Sequence, residues 1–133
     1  MSMIHPSPFL RQALLADATT SAACGLLMLL AAHPMSGILA LPEALLRISG
    51  AALLPYAALI ATLGLKERLS RPIVWAVVIG NLVWAADSAL LLVSGWVAPT
   101  HAGFAFVIAQ ALVVLMYAEL QIIGLRRSSA ATA

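Results

Sequence analysis

The chain has 133 residues, of which 63% are hydrophobic and 9% charged, and a formal net charge of +2. A soluble domain carries about 25% charged residues, so this composition excludes an ordinary water-facing globule and points to lipid as the solvent. The basic residues are few and sit at the ends of apolar runs, which argues against a nucleic-acid partner and makes them topology signals instead.

Four apolar runs cover residues 13–32, 44–65, 72–97 and 102–125. Each reaches the roughly 20 residues that cross a bilayer's hydrocarbon as helix. Backbone groups in lipid must be bonded internally, and no run shows strand-length alternation, so helices are expected and a barrel is not. The expected fold is an all-α membrane protein, one domain over residues 1–133, built as an antiparallel bundle of four transmembrane helices. Arg11, Lys66, Arg68, Arg71, Arg126 and Arg127 fall on one side of a four-span path and only Arg47 on the other. The positive-inside rule then places both termini in the cytoplasm.

Residues 1–10 carry Pro6 and Pro8 and read as a short solvated arm with little to bury. Arg11 before an apolar stretch resembles the start of a signal peptide, but Asp17 to Ser21 interrupts the apolar core, so a retained helix is expected. In this first span Asp17, Ser21 and Gly25 share one stripe and Ala16, Thr20 and Cys24 the next, a small-residue surface suited to close helix approach. Cys24 is the sole cysteine, so no intrachain disulfide is possible. His33-Pro34 ends the span, and residues 34–41 read as a loop at the outer interface.

Glu43 and Arg47 are spaced to pair at the next helix start. Pro55 removes a backbone bond inside the second span, and Tyr56 beside it needs a partner for its hydroxyl. The short 66–72 segment predicts that spans two and three form an antiparallel hairpin. Trp75 and Trp96 lie 21 residues apart, about 31 Å along a helix and so matched to the two membrane interfaces. Trp84 lies between them, at the centre of a face that holds Gly80, Asn81, Asp87 and Ser88 and is expected to point into protein. In the fourth span Gln110, Tyr117 and Gln121 share a face, and Glu119 lies about 180° from Gln110.

Taking His33, Arg47, Trp96 and His101 as outer anchors sets Cys24, Tyr56, Asp87 and Gln110 at one level near the midplane, about 13 Å in. Tyr56 and Gln110 are then the expected partners of Asp87. A second level toward the cytoplasm would hold Asp17, Thr62, Asn81 and Glu119. An ionisable group inside a span is by default a functional hypothesis. The leading expectation is a small oligomeric transporter or channel for a proton, ion or small solute. Asp87 would be its protonatable centre, Tyr56, Asn81 and Gln110 its polar lining, and Asp17 or Glu119 a cytoplasmic relay. The alternative is a non-catalytic accessory or assembly subunit of a membrane complex. An enzyme acting on a lipid ranks third, because the chain has no P-loop, dinucleotide fingerprint, zinc-protease helix or nucleophile elbow. His33 and His101 alone fall short of a metal site, and no cofactor is expected. The expected partners are membrane lipids and further copies of the chain or a larger complex.

Leu46-Arg47-Ile48-Ser49-Gly50 with Leu54-Pro55-Tyr56-Ala57, Val74-Trp75-Ala76-Val77 with Asn81 and Trp84, and Ala109-Gln110-Ala111 with Ala118-Glu119-Leu120-Gln121 carry a resemblance. Through them the chain resembles a group of small four-span bacterial membrane proteins with no established activity. The resemblance covers nearly the whole chain. It implies a bacterial inner-membrane location and a compact four-helix fold, and transfers no functional residue.

Overall fold

The computed structural model describes residues 2–131, which form five helices and three short strands. In chain order these are β1 (Met3–His5), α1 (Pro8–Leu30), α2 (Ala32–Leu39), α3 (Glu43–Leu65), β2 (Leu69–Ser70), α4 (Arg71–Val93), α5 (His101–Arg127) and β3 (Ser129–Ala130). Helices α1, α3, α4 and α5 are each long and apolar enough to cross a membrane.

Local chemistry sets the boundaries. α1 starts at Pro8, earlier than residue 13, because the Ser7 hydroxyl accepts the Leu10 amide at 3.1 Å and Pro8 fits the first turn. Thr100 caps α5 in the same way, accepting the Gly103 amide at 3.1 Å. α4 stops at Val93 instead of 97. Ser94 caps it, its hydroxyl accepts the Trp96 amide at 3.2 Å, and Gly95 turns the chain with φ 78°. Trp75 and Trp96 are therefore not the two ends of one helix. The segment expected as a loop holds α2. Pro34 lies in its first turn, where no intrahelical amide bond is lost, and Ala40 ends it at φ 54°.

The amino-terminal arm also differs from expectation. It is the central strand of a small antiparallel sheet of order β2-β1-β3, pairing Met3 with Ser70, Ile4 with Leu69 and Ala130, and His5 with Ser129. Three chain segments reach the same end of the molecule with unpaired backbone groups, and pairing satisfies them. Ile4 is fully buried beneath this sheet.

α1 packs most closely on α3, α4 on α5, and α1 also on α5. The α1–α3 seam is built on small residues. Ala18 and Gly25 on α1 face Gly50, Ala57 and Gly64 on α3, spaced seven apart, and a Cβ on Gly50 would stand 2.7 Å from the Gly25 carbonyl oxygen. Because α3 turns this stripe toward α1, α3 and α4 do not form the close hairpin that their short connection predicts. Two apolar clusters result. One, at the end bearing the sheet, includes Ile4, Leu10, Leu14, Ile60, Leu63, Val74 and Leu125. The other, at the far end, includes Met28, Leu39, Leu41, Leu46, Val97 and Val107.

Candidate functional site

Between the two apolar clusters a single carboxylate gathers a donor from each long helix. Asp17 is 2% exposed. Its Oδ1 accepts from Ser21 Oγ of α1 at 3.1 Å. Its Oδ2 accepts from Tyr56 OH of α3 at 3.1 Å, Asn81 Nδ2 of α4 at 3.2 Å and Gln121 Nε2 of α5 at 2.8 Å. Asn81 also donates to Gln121 Oε1 at 3.0 Å, so a closed ring of bonds fixes both amides. The Tyr56 hydroxyl lies 2.8 Å from Asn81 Oδ1 as well, and its one proton serves Asn81 or Asp17 in turn.

Helix geometry explains the convergence. Asp17 lies nine residues after Pro8, Tyr56 nine before Leu65, Asn81 ten after Arg71 and Gln121 six before Arg127. At 1.5 Å per residue these are depths of about 9 to 15 Å from the basic end. Every donor is neutral, and no basic side chain pairs with Asp17 among the described residues. Oδ2 is saturated, while Oδ1 has one partner and spare acceptor capacity on the Ser21 side.

That side opens on a cavity of about 120 Å³, lined by Asp17, Thr20, Ser21, Cys24, Trp84, Gln110 and Tyr117. The Thr20 and Tyr117 hydroxyls are hydrogen-bonded at 2.6 Å on its wall. Trp84 and Gln110 separate it from a smaller cavity of about 60 Å³, bordered by Ser49, Ser88 and Leu41 toward the end opposite the sheet. Here Trp84 Nε1 donates to Gln110 Oε1 at 2.7 Å and Gln110 Nε2 donates to Ser88 Oγ at 2.8 Å. Polar groups and cavities thus run from Asp17 toward the end opposite the sheet, whereas the first apolar cluster closes the basic end.

Comparison with protein-family models, curated proteins and solved structures finds no match. The reading of the site therefore rests on its geometry.

Tyr56, Asn81 and Asp17 come together as site residues, but around Asp17. Asp87 does not face the interior: it is exposed, and neither Tyr56 nor Gln110 is its partner. The physical reason lies in the width of the polar face of α4. Val74, Asn81 and Ser88, seven apart, form the inward stripe, while Gly80 and Asp87 form another about 100° away. Tyr56 belongs to the Asp17 level and not to that of Asp87, whereas Asn81 lies at the Asp17 level as expected. Gln110 faces inward and Glu119 outward, as their opposition on the helix predicts. Thr62 is exposed and donates to its own helix, to the Leu59 carbonyl at 2.6 Å. Arg47 pairs with Glu43 at 3.2 Å as the spacing predicts, and His33 Nδ1 joins the same carboxylate at 2.8 Å.

Gln121 and Ser21 were not among the sequence candidates. Gln121 shares a face with Gln110 and Tyr117, and that alignment was the available signal. Ser21 reads as one of many small packing residues, and only the neighbouring helices reveal its bond.

Proposed function

We propose that the chain is a multi-pass integral membrane protein of the bacterial inner membrane, an antiparallel four-helix bundle with both termini cytoplasmic, that moves a proton or small solute through Asp17. Support for membrane insertion comes from outward-facing Leu30, Ile48, Leu65 and Val93, each at least 70% exposed, on helices of spanning length. Support for the orientation comes from the basic residues around the sheet-bearing end.

The observation that carries the transport reading is the Asp17 carboxylate, buried among four neutral donors beside a cavity. An acid at the centre of a span costs about 2.5 to 3.5 kcal/mol on insertion scales. Hydrogen bonds between helices in lipid average about 0.6 kcal/mol, so the three donors from other helices give about 1.8 kcal/mol and do not fully offset the acid. As a tie between helices the carboxylate adds almost nothing that an uncharged side chain would not. As a group that takes up and releases a proton it is irreplaceable.

Asp17→Asn tests this. The amide oxygen replaces Oδ2 as acceptor for Tyr56, Asn81 and Gln121, and the new amide nitrogen donates to Ser21 Oγ, so the bonds largely persist. Flux in proteoliposomes driven by a proton gradient is expected to vanish while thermal stability stays near wild type. Equal flux in both proteins rejects the proposal.

A second reading, an accessory subunit of a membrane complex, is favoured by Asp87 and Glu119. Both are acids on outward faces of spanning helices with no ion partner among the described residues. A homo-oligomer or a larger assembly that covers them removes that cost under either reading. Under the accessory reading, Asp17→Asn changes neither flux nor assembly.

A further inference from the structure

Of the six basic residues at the sheet-bearing end, four serve helix C-termini. Arg11 Nη1 donates to the Gly64 carbonyl in the last turn of α3 at 2.9 Å, and Lys66 caps that same helix. Arg126 and Arg127 lie in the last turn of α5, with Arg127 also 4.7 Å over the Phe9 ring. A cation is favourable in each of these places, at the negative end of a helix dipole. Arg68 and Arg71 are placed the other way. They stand at the start of α4, the positive end of its dipole, where a cation is unfavourable. Neither pairs with a carboxylate among the described residues, Glu67 included. Their backbone is nonetheless firmly held. Leu69 and Ser70 between them are buried and paired with Ile4 and Met3 of β1, and the Arg71 amide donates to the Ser2 carbonyl at 3.0 Å. The sheet thus fixes the segment that carries two guanidinium groups for which the chain supplies no anion.

We infer that Arg68 and Arg71 bind the phosphate of an anionic phospholipid in the leaflet at the basic end. The phosphate follows from the guanidinium fork, whose planar donors match phosphate oxygens two at a time. The lipid follows from the neighbours in the chain: Leu65 just before the segment and Ile73 and Trp75 just after it are large, apolar and exposed, and offer acyl chains a surface directly beside the charge. The negative headgroup follows from the local sum, since Lys66, Arg68 and Arg71 against Glu67 leave a net charge of +2. A zwitterionic headgroup brings its own cation and does not neutralise it. This inference rests on membrane insertion and is independent of transport.

The probes are spin-labelled phosphatidylglycerol and phosphatidylcholine with identical acyl chains, added to the full chain in phosphatidylcholine bilayers and read by the motionally restricted fraction in electron spin resonance. Phosphatidylglycerol is expected to associate about fivefold more strongly, the scale of one cation near an anionic headgroup, and high salt to reduce that preference. Arg68→Gln with Arg71→Gln is expected to bring the ratio close to one at unchanged helix content by circular dichroism. Arg126→Gln with Arg127→Gln removes the same charge from helix α5 and is expected to keep most of the preference. Arg68→Gln alone, in the exposed connection, serves where the double variant fails to fold and is expected to lose part of it. Glycerol phosphate, the headgroup chemistry without the chains, is expected to leave the labelled lipid in place. Equal association of the two lipids, a preference that survives loss of both arginines, or displacement by glycerol phosphate overturns the inference, the last outcome meaning a site for soluble phosphate. Equal losses in the two double variants overturn it as well, because the attraction would then belong to the net charge of the whole end. A chain that enters no bilayer overturns the membrane reading and this inference together, whereas an inserted chain without headgroup preference overturns this inference alone.

Discussion

At the scale of single residues, Asp17 and its four donors form one unit, and substitutions within it are not independent. Asp17→Ala leaves the Asn81 and Gln121 amides short of their acceptor in a buried setting. Each such group costs about 1 to 3 kcal/mol, so the melting temperature in detergent is expected to fall clearly for alanine and little for asparagine. Equal losses for the two would mean that the charge, and not the bonding, sustains the fold. Tyr56→Phe removes the proton shared between Asn81 and Asp17 while keeping the ring. Flux is expected to drop with a small loss of stability, and unchanged flux would take Tyr56 out of the proton path. Part of this unit was legible in the sequence. A lone acid within a spanning helix is conspicuous, and Tyr56 and Asn81 were identifiable as polar residues needing partners. Which acid they serve was not legible, because α4 carries polar residues over more than 100° of its circumference and periodicity alone does not say which edge meets the other helices. The pairing of Tyr56 and Gln110 with Asp87 failed on that ambiguity, whereas Asn81 was expected at the level of Asp17 and bonds to it.

At the scale of helices, four helices long and apolar enough to cross a membrane were written in the composition, and their ends depended on caps. Ser7, Thr100 and Gly95 moved boundaries by a few residues. Neighbour choice was harder to read. A short connection favours packing of consecutive helices, yet the small-residue stripe on α3 is matched by one on α1, and that complementarity overrides the connection. The glycines therefore separate into two kinds with opposite expectations. Gly50→Ala drives a methyl group against the backbone of α1, at 2.7 Å from the Gly25 carbonyl and 2.8 Å from the Leu29 nitrogen. Overpacking of this sort costs about 1 to 3 kcal/mol. Gly80→Ala meets nothing and gains helix propensity, worth up to about 1 kcal/mol. Thermal unfolding in one detergent should show the first variant below wild type and the second at or above it. A destabilised Gly80→Ala would mean that α3 and α4 close on each other.

At the scale of the whole molecule, the two ends are not equivalent. From Asp17 outward run cavities bordered by Ser49, Ser88 and Gln110. From Asp17 toward the basic end run Leu14, Leu10, Ile60, Val74 and Leu125, ending at Ile4 and Leu69, paired and fully buried in the three-stranded sheet. Under the transport proposal the centre opens to each side in turn, and the sealed basic end is one facing of that cycle. The arm was expected to be idle, because a three-residue strand with no visible partner carries no sequence signal; β2 and β3 lie 60 or more residues away. Its place in the seal makes it testable. Removing residues 1–5 deletes β1 and the Ile4 plug but keeps Ser7, the cap of α1, so the long helices should still form. Burying an isoleucine contributes about 1.5 to 3 kcal/mol, which sets the scale of the stability lost. The sharper expectation concerns leakage. With the plug gone, water gains access to the Leu10 and Leu14 layer, and proton entry into proteoliposomes without any solute should rise above wild type. Adding Asp17→Asn to the truncated chain should abolish the excess, because the leak must pass the carboxylate. A truncated chain as tight as wild type would show that the helices seal the basic end without the sheet, and a leak that ignores Asp17 would place the proton path elsewhere.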